Sequence, residues 1–279
     1  MSTSNPTYKD YSFAYHGEVY LILEKVFAQF GIAYYLVGAN ARDVQLYKAG
    51  IKPSRGTADI DFAVMVPDFQ VYNDLFDALV EHGFTKTPEN YRMIYNKTNT
   101  VIDLMPYGEI EEEYTVIFTD RELTLSVLGF REVGEKIEYF SPIEESYNLP
   151  VTPVEGILIL KLVAWSDKPE NRTKDLEDIA FLLKHAWELY ENEAYENHLD
   201  LFDDDFQQTK VAARIIGRKM KPILEENLTL KNTIIGILEN AIKNKPKTEN
   251  LEIVVAQNLN KTIEETTEIL ALLLQGIND

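Results

Sequence analysis

The chain has 279 residues, of which 45% are hydrophobic and 11% aromatic, a composition typical of a folded globular protein and not of a disordered one. It contains no cysteine, which excludes disulfides, thiolate metal sites and cysteine nucleophiles. Any metal must then be held by oxygen or histidine nitrogen, and the four histidines make oxygen the favoured ligand. The formal net charge of −19 repels polyanions and suits a small or cationic binding partner, although acidic surfaces are also simply soluble.

The sequence contains no signal for membrane insertion or export. No stretch approaches the roughly 18 unbroken apolar residues of a membrane-spanning helix. The first residues, MSTSNPTYKDYS, have neither a basic region nor an apolar signal core. We therefore expect a cytoplasmic protein without membrane contact.

The beginning of the chain predicts an alternation of helices and strands. Residues 14–30 carry apolar side chains at helical spacing and stop at a glycine. Residues 33–38 are short, apolar and rich in strand formers, and residues 39–50 then predict a helix. After a loop rich in helix breakers, residues 59–66 (DIDFAVMV) predict a second strand.

Further strands follow a predicted helix over 67–82. Residues 91–96 and 100–108 predict two strands joined by the polar turn 97–99, so the second strand should lie antiparallel beside the first. This half of the chain is predicted to be α+β. Additional short strands are predicted around 114–118, 123–128 and 136–140.

The pattern changes to helices near residue 150. The segment SPIEESYNLPVTP clusters turn formers, and Thr152 to Glu155 then combine a capping box with proline at the first helical position. Nearly everything after this point predicts helix. We therefore expect a catalytic α+β domain over 1–150 and a helical domain over 151–279.

Three aspartates have the positions that magnesium chemistry requires. Asp59 and Asp61 lie at i and i+2 of one strand, so their side chains face the same way, and Asp103 lies on a strand predicted nearby. Each lies among apolar neighbours, where an unpaired carboxylate is costly. Two magnesium ions about 4 Å apart neutralise phosphate charge and activate an attacking hydroxyl, and carboxylates are their preferred ligands. Capping and surface charge are the structural alternative for these residues.

A glycine turn lies between a predicted strand and the helix after it. Glycine at position 38 lets the backbone approach a ligand closely, and the amides of residues 38–40 point along the helix dipole toward an anion. Neither this turn nor Asp-x-Asp is specific alone. Their combination in this order predicts a phosphate site beside a metal site.

These motifs resemble a known family. "LVGANARD", "RGTADIDFAV" and "VIDLM" are similar to the signature of DNA polymerase β-like nucleotidyltransferases. The Arg-x-Thr-x-Asp-x-Asp form, with "KLVAWSDKPENRTKDLEDIAFLL" further on, resembles the bacterial branch that includes the abortive-infection nucleotidyltransferase toxins. The resemblance covers about residues 30–190 and implies a nucleotidyltransferase-fold mixed sheet flanked by helices, followed by a mostly helical region.

The resemblance also implies roles for individual residues. Gly38 would contact the triphosphate, Asp59 and Asp61 would bind both magnesium ions, and Asp103 would bind the catalytic ion and help to activate the acceptor hydroxyl. Manganese could replace magnesium. The chain departs from the family where Ala39 replaces the usual second Gly or Ser, which removes any hydroxyl contact to phosphate, and where the loop before Asp59 is longer.

Residues around these motifs complete the predicted nucleotide site. Arg55 and Thr57 precede the Asp-x-Asp strand, where an arginine braces Asp59 or contacts a phosphate oxygen. Arg42 lies in the first turn of the helix that follows Gly38, and the resemblance places Lys161 near the phosphates. For both residues, a purely structural role is the alternative. Lys161 can snorkel to solvent from a buried helix. The predicted nucleotide-binding set is Gly38, Ala39, Arg42, Arg55, Thr57 and Lys161.

The acceptor remains open at this stage. The expected reaction moves a nucleoside monophosphate from a nucleoside triphosphate to a hydroxyl of RNA, protein or a small molecule, and a non-catalytic nucleotide-binding or interaction protein is the alternative. The toxin resemblance implies an antitoxin-type protein partner. A basic stripe formed by Lys210, Arg214 and Arg218 lies on one helical face and binds either an RNA backbone or the chain's own carboxylates.

Overall fold

The computed structural model describes residues 6–119, 123–143, 145–243 and 250–279. The chain divides into two compact units, Met1–Pro153 and Val154–Asp279, called here the sheet unit and the helical unit. Among the described residues, no helix combines the length and the apolar character that a membrane span needs.

A mixed sheet of seven strands forms the centre of the sheet unit. Its order is β3-β4-β5-β2-β1-β9-β8, with parallel pairing only between β2 and β5 and between β1 and β9. Strands β6 and β7 form a separate two-stranded sheet. The strands are β1 (Tyr34–Val37), β2 (Asp59–Met65), β3 (Phe84–Lys86), β4 (Arg92–Tyr95), β5 (Thr100–Tyr107), β6 (Thr115–Phe118), β7 (Leu123–Ser126), β8 (Glu138–Phe140) and β9 (Leu149–Val151).

Helices cover one face of this sheet. Phe62 of β2 makes edge-to-face ring contacts with Tyr20 and Phe27 of α1, so this face is the hydrophobic core. Helix α1 ends where Gly31 adopts φ 63°, and α3 begins where the Asp68 carboxylate accepts a hydrogen bond from the Val71 amide at 2.9 Å. The helices of this unit are α1 (Gly17–Phe30), α2 (Gly38–Lys48), α3 (Phe69–Glu81) and α4 (Phe130–Gly134), preceded by 3-10 turns at Tyr8–Asp10 and Ser12–Tyr15.

The helical unit contains seven helices in its described residues. The backbones of α8 and α11 are in close contact at Gly217 and Gly276, since a Cβ atom at either glycine would collide with the backbone of the opposite helix. The helices are α5 (Val154–Asp167), α6 (Thr173–Lys184), α7 (Ala186–Asn197), α8 (Gln208–Leu224), α9 (Leu228–Lys243), α10 (Leu251–Leu259) and α11 (Ile263–Asn278), with 3-10 turns at Pro169–Asn171 and Leu199–Leu201.

The predicted α+β class and the helical C-terminal region are confirmed. The antiparallel β4–β5 hairpin and the short strands β6, β7 and β8 lie where the pattern predicts them. Strands β3 and β9 were not predicted: β3 directly follows the turn at Gly83, and β9 lies in the segment where turn formers cluster. Strand β9 extends to Val151, one residue beyond the expected boundary at residue 150. The division of the chain between the two compact units falls after Pro153.

Candidate active site

The three candidate aspartates lie on one face of the sheet. Strands β2 and β5 run parallel, and their register places Asp61 directly beside Asp103, with Asp59 two residues earlier on β2. The side chains that alternate with them on these strands, including Ile60, Phe62 and Ile102, are buried in the core on the opposite face. The aspartates therefore share the face opposite to these side chains. Farther along the same face, Tyr35 and Tyr107 are buried against α4.

The glycine turn contacts this acidic face. Strand β1 ends at Val37, whose register partner on β2 is Asp61, and α2 begins at Gly38 with φ 67°. A Cβ atom at position 38 would collide with the Asp61 carboxylate, so glycine is required by both the positive φ and the close approach. The first amides of α2 therefore lie next to the candidate metal ligands, with Ala39 half-buried in the same turn.

Side chains from α2 and from the loop before β2 fix the start of β2 by hydrogen bonds. The Asn40 side chain donates a hydrogen bond to the Asp59 carbonyl at 2.7 Å, and the Thr57 hydroxyl donates to the same carbonyl at 3.3 Å. The Thr57 amide donates to the Ser12 hydroxyl at 2.9 Å. Thr57 thus braces the Asp-x-Asp strand, and its predicted nucleotide contact stays a prediction, as does that of the half-buried Arg55.

Arg92 is a member of the site that the sequence patterns did not single out. The β4–β5 register places it opposite Asp103, and its guanidinium donates from Nε to Oδ1 at 2.7 Å and from Nη2 to Oδ2 at 2.8 Å. Nη2 also lies 3.8 Å from Oδ2 of Asp59. The predicted turn at 97–99 would have paired Met93 with Asp103. The turn in the structure spans 96–99, and this one additional residue brings Arg92 opposite Asp103.

The charge of this pair is shaped by burial and by the guanidinium. Burial raises the pKa of the Asp103 carboxyl above its ordinary value, and the hydrogen bonds from Arg92 partly offset the rise. The same hydrogen bonds raise the pKa of Arg92, which keeps its charge throughout the physiological range. Asp103 is nearly enclosed, whereas the Asp59 side chain is 45% exposed.

The donor chemistry of the site fits a hard divalent cation. Within the described residues, no three acidic or histidine side chains already stand in the geometry of a metal cluster. Asp59, Asp61 and Asp103 nonetheless offer carboxylate oxygens from one face, and a guanidinium already lies against two of them. The face therefore attracts a cation, and the assignment of magnesium to it stays a prediction.

The structure favours a bracing role for Arg42. Its side chain is fully buried and donates from Nε and Nη2 to Oδ1 of Asp43, at 3.0 and 2.7 Å, and from Nη2 to the Arg55 carbonyl at 3.2 Å. A buried guanidinium with these partners supports the loop before β2 and is not exposed to a ligand. The structural alternative is thus better supported, and a nucleotide contact of Arg42 stays a prediction.

Lys161 lies in an ion cluster of the helical unit. Its Nζ lies 2.8 Å from Oδ1 of Asp175 and 2.8 Å from Oδ2 of Asp178, and all three side chains are nearly enclosed. The two carboxylates both belong to α6. Lys161 therefore does not snorkel to solvent, and its contact with a phosphate stays a prediction.

The basic stripe of α8 binds the chain's own carboxylates. Lys210 lies 2.9 Å from Glu268, and Arg214 lies 2.9 Å from Asp279. Arg218 donates to Asp200 at 2.9 Å and also contacts Asp279. Of the two interpretations of the stripe, the structure confirms the intramolecular one.

A family model and a solved structure are similar to the chain, whereas no curated protein matches it. The solved structure is that of Elizabethkingia meningoseptica CdnE cyclic dinucleotide synthase with GTP and Apcpp. It is 13% identical, the alignment covers 91% of this chain and 89% of that chain, and the TM-score is 0.28. The family model is described as nucleotidyl transferase AbiEii toxin, type IV toxin–antitoxin system, and it matches residues 22–248. The chain therefore belongs to the AbiEii nucleotidyltransferase toxin family and is an enzyme of the nucleotidyltransferase class.

Proposed function

We propose that the protein transfers a nucleoside monophosphate from a nucleoside triphosphate to a hydroxyl acceptor, with Asp59, Asp61 and Asp103 as ligands of magnesium or manganese. The observation that carries the proposal is the β2–β5 register, which sets Asp61 beside Asp103 on one face of the sheet. Membership of a nucleotidyltransferase family supports it. In the reaction, the acceptor oxygen bonds to the α-phosphorus and the bond to the bridging oxygen breaks, so pyrophosphate leaves.

The start of α2 is the best candidate for the phosphates. The amides of Gly38 and Ala39 lie at the N-terminus of an eleven-residue helix, where backbone donors and the helix dipole both favour an anion. Gly38 must lack a side chain here, because Asp61 occupies the adjacent space. Arg55 and Thr57, on the loop before β2, would act at the same end of the site.

The aspartates would divide the remaining work. Bound divalent ions would supply neutralisation of the phosphate oxygens and a lower pKa for the acceptor hydroxyl. Asp59 and Asp61 would hold the triphosphate end through those ions, whereas Asp103, the most enclosed carboxylate, would lie nearest the attacking hydroxyl and accept its proton. RNA, protein and small-molecule acceptors remain the three candidate classes.

A transfer assay tests this proposal. Purified protein would be incubated with each α-labelled nucleoside triphosphate, magnesium, and separately total RNA, a protein extract or a small-molecule fraction, and pyrophosphate release and label transfer would be measured. We expect Asp61→Asn and Asp103→Asn to lower transfer by roughly a thousandfold or more, since each removes a proposed metal ligand. Asp74→Asn, on the exposed side of α3, is the matched control and should transfer normally.

Two results would contradict the proposal. Wild-type rates in both aspartate variants would remove these residues from the reaction. Release of inorganic phosphate without label transfer would indicate hydrolysis of the triphosphate in place of nucleotidyl transfer.

The family description also supports an antitoxin as a cellular partner. We propose that expression of the active enzyme arrests growth unless a cognate antitoxin protein is present. Expression of wild type and Asp61→Asn at equal level would test this, and equal growth arrest by both would contradict toxicity through transfer.

A further inference from the structure

The guanidinium of Arg92 lies beside the carboxylates of the candidate site. Both oxygens of Asp103 accept hydrogen bonds from this one side chain, at 2.7 and 2.8 Å, and Oδ2 of Asp59 lies 3.8 Å from Nη2. The β4–β5 register fixes this arrangement, because Arg92 and Asp103 are directly opposed and their side chains share a face. One cation of the chain therefore contacts two of the three proposed ligands.

A divalent ion would require the same oxygens. In a bidentate pair each carboxylate oxygen directs a lone pair at an N–H donor, so neither oxygen of Asp103 is left with its best ligand direction. The Asp103 side chain is only 6% exposed, so it offers no second open approach. A metal ion at this carboxylate would also lie close to a fixed positive charge, which repels it. The bidentate pair and a bound ion therefore compete for the same two oxygens.

Arg92 has a route away from the site. Its side chain is 32% exposed, in contrast with the enclosed carboxylate that it holds. Rotation of a long arginine side chain from such a position moves the guanidinium to solvent without opening the core. The exchange of guanidinium for a metal ion thus requires a side-chain movement and no rearrangement of the strands.

Building on the proposed function, we infer that Arg92 is the counter-cation of the metal-free site and competes with the divalent ion for Asp103. It neutralises the carboxylates and holds Asp103 in position before an ion binds, and it leaves Asp103 when the ion arrives. Arg92 is a positioning residue of the metal-free enzyme. Its removal should therefore weaken the metal-free fold and strengthen metal binding.

Manganese titration without nucleotide tests the competition independently of activity. Free Mn²⁺ would be followed by electron paramagnetic resonance in the full chain, and the melting temperature would be measured in the same samples. We expect Arg92→Gln to bind Mn²⁺ about tenfold more tightly than wild type, because a competing positive charge is gone. It should melt lower than wild type without metal, and its melting temperature should rise further on adding Mn²⁺.

Three further variants make the result specific. Arg92→Lys keeps the positive charge but loses the two parallel N–H donors of the guanidinium. Its affinity for Mn²⁺ should therefore lie between those of wild type and Arg92→Gln. Lys86 is on β3 of the same sheet and pairs with Asp77 of α3 at 2.6 Å. The Lys86→Gln variant loses this positive charge and should bind Mn²⁺ as wild type does. Asp103→Asn should abolish the gain in the Arg92→Gln background.

The possible failures are distinguishable. Binding that needs Asp103 but is unchanged or weaker in Arg92→Gln would overturn the competition and leave the metal site intact, since Arg92 would then orient Asp103 for the ion. No binding in any variant would overturn the metal site itself, and the inference with it. If Arg92→Gln does not fold, Arg92→Lys decides, and affinity equal to or below wild type would overturn the competition.

Discussion

Arg92 in the sheet unit and Lys161 in the helical unit each contact two carboxylates, but the two clusters differ in exposure. In the sheet unit, Arg92 binds Asp103 and approaches Asp59, whose side chain is 45% exposed. In the helical unit, Lys161 binds Asp175 and Asp178, and the most exposed of these three side chains is 13% exposed. Similar charges therefore lie in an open site in one unit and in a closed cluster in the other.

We expect the difference in exposure to separate a cluster that acts through ligand binding from one that acts through stability. A buried ion pair depends on all its members, because removing one leaves an uncompensated charge in a medium that solvates it poorly. An open cluster exchanges partners with water and ligands at small cost. The Lys161 cluster should thus respond to substitution mainly through stability, and the Arg92 cluster mainly through ligand binding.

The largest effect on stability is expected from Lys161→Met. It leaves Asp175 and Asp178 buried without their shared cation and should lower the free energy of unfolding by about 3–5 kcal/mol. Urea denaturation would measure the loss. Lys184→Met, at the exposed end of α6, removes the same charge without a buried partner and should change stability by less than about 0.5 kcal/mol.

Two additional measurements sharpen the test of Lys161. Adding Asp175→Asn and Asp178→Asn to Lys161→Met should restore most of the lost stability, because no buried charge then remains unpaired. Triphosphate and monophosphate affinities of folded Lys161→Met would be compared as well. A selective loss of triphosphate affinity with little loss of stability would contradict the structural interpretation and support the phosphate contact that the family resemblance implies.

The sequence was most informative where a pattern is local. Period-two alternation placed Asp59 and Asp61 on one face, and the pattern at Thr152 to Glu155 placed the start of the helices within a residue of Val154, where α5 begins. The predicted capping box was wrong, because the Thr152 hydroxyl donates to the Leu36 carbonyl at 2.7 Å and Glu155 accepts from the Tyr190 hydroxyl at 2.8 Å. Long-range partners were less accessible. The two aspartates that bind Lys161 belong to another helix, and helical periodicity indicates a buried face without saying which faces meet.

The next effect concerns His16, a buried side chain that can take up a proton. His16 is only 9% exposed, and its ring lies beside that of Tyr20. Within the described residues, its Nδ1 has no hydrogen-bond partner. Burial lowers the pKa of His16 from 6.5 to about 4. The unfolded chain therefore takes up a proton near the ordinary pKa while the folded chain stays neutral, so stability falls as the pH drops between these two values.

Comparison of wild type with His16→Gln isolates this contribution, because the other titrating groups are common to both. Wild type should lose roughly 3 kcal/mol more of unfolding free energy than the variant between about pH 7 and about pH 4. Urea denaturation at several pH values would measure it, with His82→Gln, at a half-buried position, as the control. Parallel pH curves for wild type and His16→Gln would show that the imidazole is protonated in the folded protein and would contradict its burial as a neutral group.

The smallest effect is expected at the basic stripe, where each cation already has a carboxylate partner within the helical unit. Replacing Lys210, Arg214 and Arg218 together with glutamine should cost about 0.2–1 kcal/mol for each lost pair, because these side chains are partly exposed. RNA association should be unchanged and should keep the same salt dependence, since phosphates would have to displace internal partners in a chain of net charge −19. Filter binding of a panel of cellular RNAs at several salt concentrations would measure both. A uniform loss of RNA affinity with a flatter salt dependence, at near-normal melting temperature, would show that the stripe releases its carboxylates to bind RNA and would make RNA the leading acceptor class.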